Sequence, residues 1–413
     1  MKKKLSVFWK LVLVFTALIL IGGGLSFIPV FCDWWGDHVH PFLEGGIGRV
    51  NAHLPFVLGE WLTAGAILLG VLSVIFLILL PFLRKKQGYR RFARGWYKAI
   101  LMILVSSVLA YTFVWFIPFR GTVLGQGNIT RRTEFGFSDL QKLITYSAEG
   151  LNAAAEEIPI DEDGTVQFPT VEENRPKITA VMQSLSGEFS RLSGFYPPVK
   201  TSFFSELLDH LRIGGVTFPL TGEAIHSKYS LEPHYQPVLD AHELSHFKGY
   251  YNESDANFLS QLAMTRSEDP YLRFSGYLDM MNYLDGPYNE ARSEAETELQ
   301  NEGKLPELPA KFNFSDPDHL AQYRAFAEKS AELLGMPPSI TERAGLIIEA
   351  SYNQGKAVYE ADSHPLDEMP AVSEIVSDVA DVGWETQATV LKEHCYDGVT
   401  LLLLQYFDGK LDG

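Results

Sequence analysis

The chain has 413 residues, 34 Lys and Arg against 51 Asp and Glu, a formal net charge of −17, and two cysteines. The charge is unevenly spread: residues 1–119 carry 12 basic and 4 acidic side chains, and the rest carries 22 basic and 47 acidic. So acidic a second part argues against a nucleic-acid partner, and no Cys₄ or Cys₂His₂ spacing for a zinc finger is present.

Three apolar runs dominate the first part: 11–31, 61–83 (extendable to Leu54) and 99–119. None contains a charged side chain, and each has about the ~20 residues that a helix needs to cross a bilayer core. Three such runs in succession predict a multi-pass α-helical membrane anchor over 1–119, with the lipid bilayer as its partner. Lys2, Lys3 and Lys4 precede the first run, which is long for a signal peptide and lacks a clean small-x-small cleavage site. The basic stretch RKKQGYRRFARGWYK (84–98) separates runs two and three. Positive loops stay in the cytoplasm, which predicts a multi-pass protein of the bacterial cell membrane with its N-terminus in the cytoplasm and everything after Phe119 outside it. Trp34 and Trp35 are read as interface anchors, and His38 and His40 as plain polar residues of a short outer loop. Cys32 and Cys395 then share a compartment, so a bond between them is chemically allowed.

Residues 120–138 read as a linker, and 139–413 as a mostly helical α+β domain with one small sheet. Ser138 is placed to cap a helix through Ile158. Turn residues over 160–170 mark a loop, and helical pattern resumes to about Leu192. GVTFPL (215–220) and EAIHSKYSL (223–231) alternate enough for strands, joined as a hairpin at Thr221-Gly222. Helical patterns follow at 235–248, 253–267, 271–285, 288–303, 319–335, 338–361 and 371–406, the last interrupted near Gly383.

The stretch DAHELSHFKGYYNESDANF (240–258) carries the chemistry. Four-residue spacing puts His242 and His246 on one helix face, close enough to share a metal ion. Glu243 lies beside the first of them, within reach of a water at that ion. A catalytic zinc needs a third protein ligand and an open fourth position. Glu253 is the best candidate: Gly249 can end the first helix and Asn252 can cap a second that starts at Glu253. Asp255 is the alternative, requiring a closer helix. Asn257 is a candidate to orient a ligand histidine, and Tyr277, His226 and Tyr229 are candidate oxyanion donors among which the sequence does not choose. GVTFPL is either an edge strand for an extended peptide or a packing strand. The motif lies more than a hundred residues past the last apolar run, with Asp240, Lys248 and Glu253 around it. Its chemistry therefore belongs in water.

HELSH followed by ESDANF resembles the glutamate-zincin superfamily, whose third ligand is the first Glu of a Glu-x-x-Ala-Asp/Asn signature. GVTFPLTGEA, HELSH, NESDANFLSQLA, RFSGYL and CYDGVTLLLL, after three apolar spans, are similar to a bacterial family of unknown function, number 3810. Its members look like membrane-anchored zinc peptidases. Relatives often carry Glu-Ala-Asn where this chain has Asp255-Ala256-Asn257. The resemblance implies a zincin-like domain with one Zn²⁺ per chain, ligands His242, His246 and Glu253, Glu243 as general base, and a peptide or protein substrate outside the cytoplasm. A non-catalytic zinc-binding sensor or interaction module at the cell surface is the competing expectation. Glu243 separates the two, because a structural zinc has no use for a neighbouring base.

Overall fold

A computed structural model describes residues 5–411 apart from 126–128, 130, 131, 133, 231, 310, 314, 370–375 and 377–394. Most of the predicted 371–406 helix, including the break near Gly383, lies outside the described residues.

Among the described residues, three helices are long and apolar enough to cross a membrane, as in a membrane protein: α1 (Val7–Leu25), α4 (Leu58–Leu83), and α5 (Gln87–Tyr111) with its continuation to Phe119. Their bounds differ from the apolar runs. The first run breaks at Pro29, where α2 (Pro29–His38) begins, because proline fits a first helical turn and not an interior. The basic stretch at 84–98 is mostly the start of α5 rather than a loop. Past Tyr111 the helix widens into a π segment (Thr112–Phe116) before α6 (Ile117–Phe119). The segment expected as an outer loop is also helical: α2 is followed by α3 (His40–Asn51). Trp35 donates to the Phe113 carbonyl at 2.8 Å, and Trp34, half exposed, stacks on His38.

α7 (Phe137–Glu157) starts one residue before Ser138. Gly136 is its cap position, and the Asp139 carboxylate accepts from the Gly136 N–H at 3.0 Å. α8 (Val171–Ser184) has a Thr170–Glu173 capping box and ends in short 3₁₀ turns rather than running to Leu192. The sheet has three strands in the order β1-β3-β2: β1 (Lys200–Thr201), β2 (Gly215–Phe218) and β3 (Glu223–His226). β2 and β3 form the expected antiparallel hairpin, with Val216 opposite Ile225, and Gly222 takes the positive φ of its turn. β1 runs parallel to β3 and has too few residues to show a pattern. A short helix, α9 (Ser205–His210), separates β1 from β2.

α10 (Gln236–Phe247) and α11 (Glu253–Thr265) follow, then α12 (Pro270–Asn301), α13 (Pro317–Leu334), α14 (Glu342–Glu360) and α15 (Cys395–Phe407). α12 replaces the two helices expected on either side of Pro287. A proline inside a helix leaves the carbonyl four residues back without its donor. That carbonyl belongs to Tyr283, and the Thr400 hydroxyl of α15 donates to it at 3.3 Å. The replacement donor comes from a distant part of the chain.

α7, α8, α10, α11, α12 and α15 pack around one core that includes Leu143, Met182, Leu244, Phe258, Leu262 and Leu403. α10 and α11 are buried on nearly every face. Cys32 is a buried free thiol that contacts the Ser26 carbonyl, and the Cys395 side chain lies outside the described residues.

Candidate metal centre

The turn between α10 and α11 positions the ligand set. Gly249, with φ +84°, ends α10, and any Cβ there would come within 3.1 Å of His40 Nδ1. Asn252 caps α11, its Oδ1 accepting from Asp255 N at 3.2 Å, so Glu253 is the first residue of that helix. Glu253 then faces both imidazoles. Its Oε2 lies 3.2 Å from His242 Nε2 and its Oε1 3.6 Å from His246 Nε2, and one ligand atom from each residue falls within 4.8 Å of the others.

The far side of each ring is engaged. His246 Nδ1 is 2.8 Å from the Tyr250 carbonyl, which can only accept, so Nδ1 carries the proton and Nε2 presents its lone pair. His242 Nδ1 is 2.7 Å from Asn257 Oδ1, which imposes the same tautomer. Two imidazole Nε2 atoms and a carboxylate thus converge on one point, a donor set that could hold a metal ion. Without a cation the group still attracts positive charge. Burial disfavours a charged His246, but the Glu253 carboxylate outweighs it and lifts the imidazole to about 9. Burial likewise opposes ionisation of Glu253, and the two histidines together pull its carboxyl far below the usual range.

Glu243 is buried under β2. Thr217 Oγ1 lies 2.9 Å from its Oε2 and 2.8 Å from its main-chain oxygen, and the one hydroxyl proton is shared between them. Burial pushes the Glu243 carboxyl above its ordinary value, with His242 and His246 opposing. β2 crosses close enough that Gly215 is required, since a Cβ there would lie 2.6 Å from Glu243 Oε1.

These groups line a cleft of about 780 Å³, together with Trp115, Arg212, Tyr235, Tyr251, Asp279 and Tyr283. β2 forms one wall through Gly215, Val216 and Thr217, and it is an edge strand with one side unpaired.

Of the other residues singled out by sequence, only Asn257 reaches the centre. Asp255 points elsewhere, accepting from Leu124 N at 3.1 Å, which removes it as the third ligand. Tyr277 lies in the core against Gly150, 3.2 Å from the Tyr146 hydroxyl. His226 is fully buried between Asp240 (2.7 Å) and Thr201 (3.1 Å), and Tyr229 donates to Asp362 at 3.0 Å. None of these three lines the cleft: His226 is on the central strand β3, Tyr277 faces α7, and Tyr229 faces Asp362.

Sequence reasoning missed the layer beneath the centre. The Tyr251 ring stacks on His246, centroids 6.4 Å apart and planes 11° apart, and its hydroxyl donates to Glu44 Oε2 at 3.1 Å. Glu44 in turn pairs with His40, both fully buried. Burial raises the Glu44 carboxyl, with His40 opposing. The outer-loop histidine is therefore a core residue beside the ligands, a role that only tertiary packing could assign.

No curated protein and no solved structure matches the chain. A family model described as "Protein of unknown function (DUF3810)" matches residues 36–306, a span that contains α3, the sheet and the whole ligand cluster. The chain belongs to the DUF3810 family.

Proposed function

We propose that this protein is a membrane-anchored, zinc-dependent peptidase acting outside the cytoplasm, with α1, α4 and α5 as its spans and 139–413 as a zincin-like catalytic domain. The observation that carries the reading is the convergence of His242, His246 and Glu253 from two helices, with the unliganded carboxylate of Glu243 beside them. The basic residues at 84–98, at the opposite end of α5 from this centre, support the orientation.

His242, His246 and Glu253 would hold the zinc. When bound, the ion polarises a carbonyl and makes a water easier to deprotonate. Glu243 acts as general base, accepting a proton from the water whose oxygen attacks the peptide carbon. It returns that proton to the amine nitrogen as the C–N bond breaks. Burial suits both halves of this exchange, since a raised carboxyl pKa narrows the gap to the operating pH. Thr217 and Gly215 fix the carboxylate beneath β2. The free edge of β2 can take an extended peptide as an added strand, which would run the scissile bond past the ligands.

Elemental analysis of the purified chain should find about one zinc per protein. Glu243→Gln should keep that zinc and lose ~10²–10⁴-fold in peptide cleavage. Equal cleavage by wild type and Glu243→Gln would reject the assignment.

A further inference from the structure

We infer that the substrate is a polypeptide tethered in the same membrane, cut within about ten residues of its point of entry into the bilayer. This rests on the peptidase reading and goes beyond it.

Three independent features put the cleft at the bilayer surface. First, one cleft wall belongs to a membrane-length helix. Trp115 lines the cleft, yet it lies inside the apolar run that continues to Phe119 and precedes the exposed Arg120. Four residues of helix span ~6 Å, so Trp115 stands less than one headgroup layer from the end of that run. It stacks between Tyr111 and Phe119 at 4.8 and 4.5 Å, the kind of aromatic belt found at membrane–water boundaries. The π segment that presents it is held from outside. Trp35 donates to the Phe113 carbonyl, and the hydroxyl of Tyr251, the residue stacked on His246, lies 3.4 Å from Val114 O and shares its one proton between that carbonyl and Glu44.

Second, the strand that walls the cleft sits on the start of α4. Phe218 of β2 packs on Gly59 so tightly that a Cβ there would lie 2.4 Å from the ring. Glu223 of β3 accepts from the first free amides of α4, Leu58 N at 3.0 Å and Gly59 N at 2.9 Å. The edge along which a peptide would lie is therefore fixed to the outer end of a span.

Third, α3 is inside-out for a helix on a water-soluble protein. Its polar residues His40, Glu44 and Asn51 are buried against the outer domain, whereas Phe42 is 79 % and Val50 70 % exposed. An apolar face turned outward between two membrane-length helices matches a helix lying in the interface with lipid on that face. Only the Tyr251 ring separates α3 from His246.

The bilayer occupies the side of the cleft that α3 and Trp115 define. A segment that emerges from the membrane next to Trp115 can reach β2 directly, at ~3.3 Å per extended residue.

The test uses the full chain in lipid vesicles with its outer domain exposed. The probe is a mixed-sequence segment of about forty residues fused to one apolar membrane span, with the same segment lacking the span as control, and cut positions are read by mass spectrometry. Cuts should cluster within about ten residues of the span. Cuts spread evenly, or confined beyond about twenty residues, would overturn the inference and leave the peptidase reading standing. No cutting of either probe beyond the Glu243→Gln level would sink both. A second readout needs no activity. A nitroxide at Val216→Cys, in a Glu243→Gln background with Cys32→Ala and Cys395→Ala, reports the depth of the cleft wall. It should lie within ~10 Å of the lipid phosphates, and a distance above ~25 Å would overturn the inference.

Discussion

Gly215 and Glu243 are in contact across the cleft floor: a Cβ on the glycine would fall 2.6 Å from Oε1 of the carboxylate and 2.8 Å from the Ile225 carbonyl. The strand crosses directly over the Glu243 carboxylate, and only hydrogen fits between them. Gly215→Ala must therefore shift either the strand or Glu243. The expected result is a loss of at least tenfold in peptide cleavage with zinc content unchanged, because a misplacement of about 1 Å costs roughly 10²-fold in positioned chemistry. Elemental analysis alongside a cleavage assay checks this, and unaltered cleavage would show that Glu243 tolerates displacement.

Asn257 holds His242 from behind at 2.7 Å. Removing such a partner lowers metal affinity by ~10–100-fold. Asn257→Ala should weaken zinc binding within that range in a chelator competition, whereas Asp255→Asn, two residues after Glu253 but turned to Leu124 N, should leave it within about twofold.

Asp279 lines the cleft, accepts from Gln261 at 2.7 Å, and is raised from 3.8 to about 6 by burial, with Gln261 and His242 opposing. The folded state then holds a proton more tightly than the unfolded chain. Stability from this group is complete below about pH 4 and is lost as pH rises through 6. Asp279→Asn removes that loss. In zinc-free protein the variant should be more stable than wild type by ~1–2 kcal/mol at pH 7, a figure reduced for solvent in the cleft, with no difference near pH 4. Thermal melts at the two pH values test the sign.

Glu223 is 2 % exposed and receives Lys200 at 2.7 Å together with the first amides of α4. Burial would raise its carboxyl, but Lys200 and these amides prevail and lower it. Glu223→Ala leaves two amides unpartnered and the Lys200 charge with only the Asn51 and Phe56 carbonyls, and should destabilise the join between sheet and α4 by ~3–5 kcal/mol. Limited proteolysis around residues 52–57 should accelerate.

The ligand helix pair was legible because its rules are local. Four-residue spacing sets the face of His242 and His246, Gly249 supplies a left-handed turn, and Asn252 caps α11. Each of these acts within one or two helical turns, so periodicity alone brings the three side chains near one point. Pro287 shows where local rules end: it reads as a helix break, yet α12 runs through it because Thr400, more than a hundred residues away, satisfies the Tyr283 carbonyl.

Linear pattern by itself determined the apolar helices, the mostly helical part beyond residue 138, the hairpin and the HELSH–Glu253 pairing, since hydrophobic period and capping are properties of neighbours in the chain. Tertiary structure alone decided that Asp255 turns to Leu124, that Tyr277, His226 and Tyr229 stay out of the cleft, and that Trp115 and Tyr251 enter it. It also set His40 and Glu44 beneath His246. Such neighbours, brought together across more than a hundred residues of sequence, are chosen by whether a buried polar atom finds its partner and a ring its space, and no local spacing records that choice.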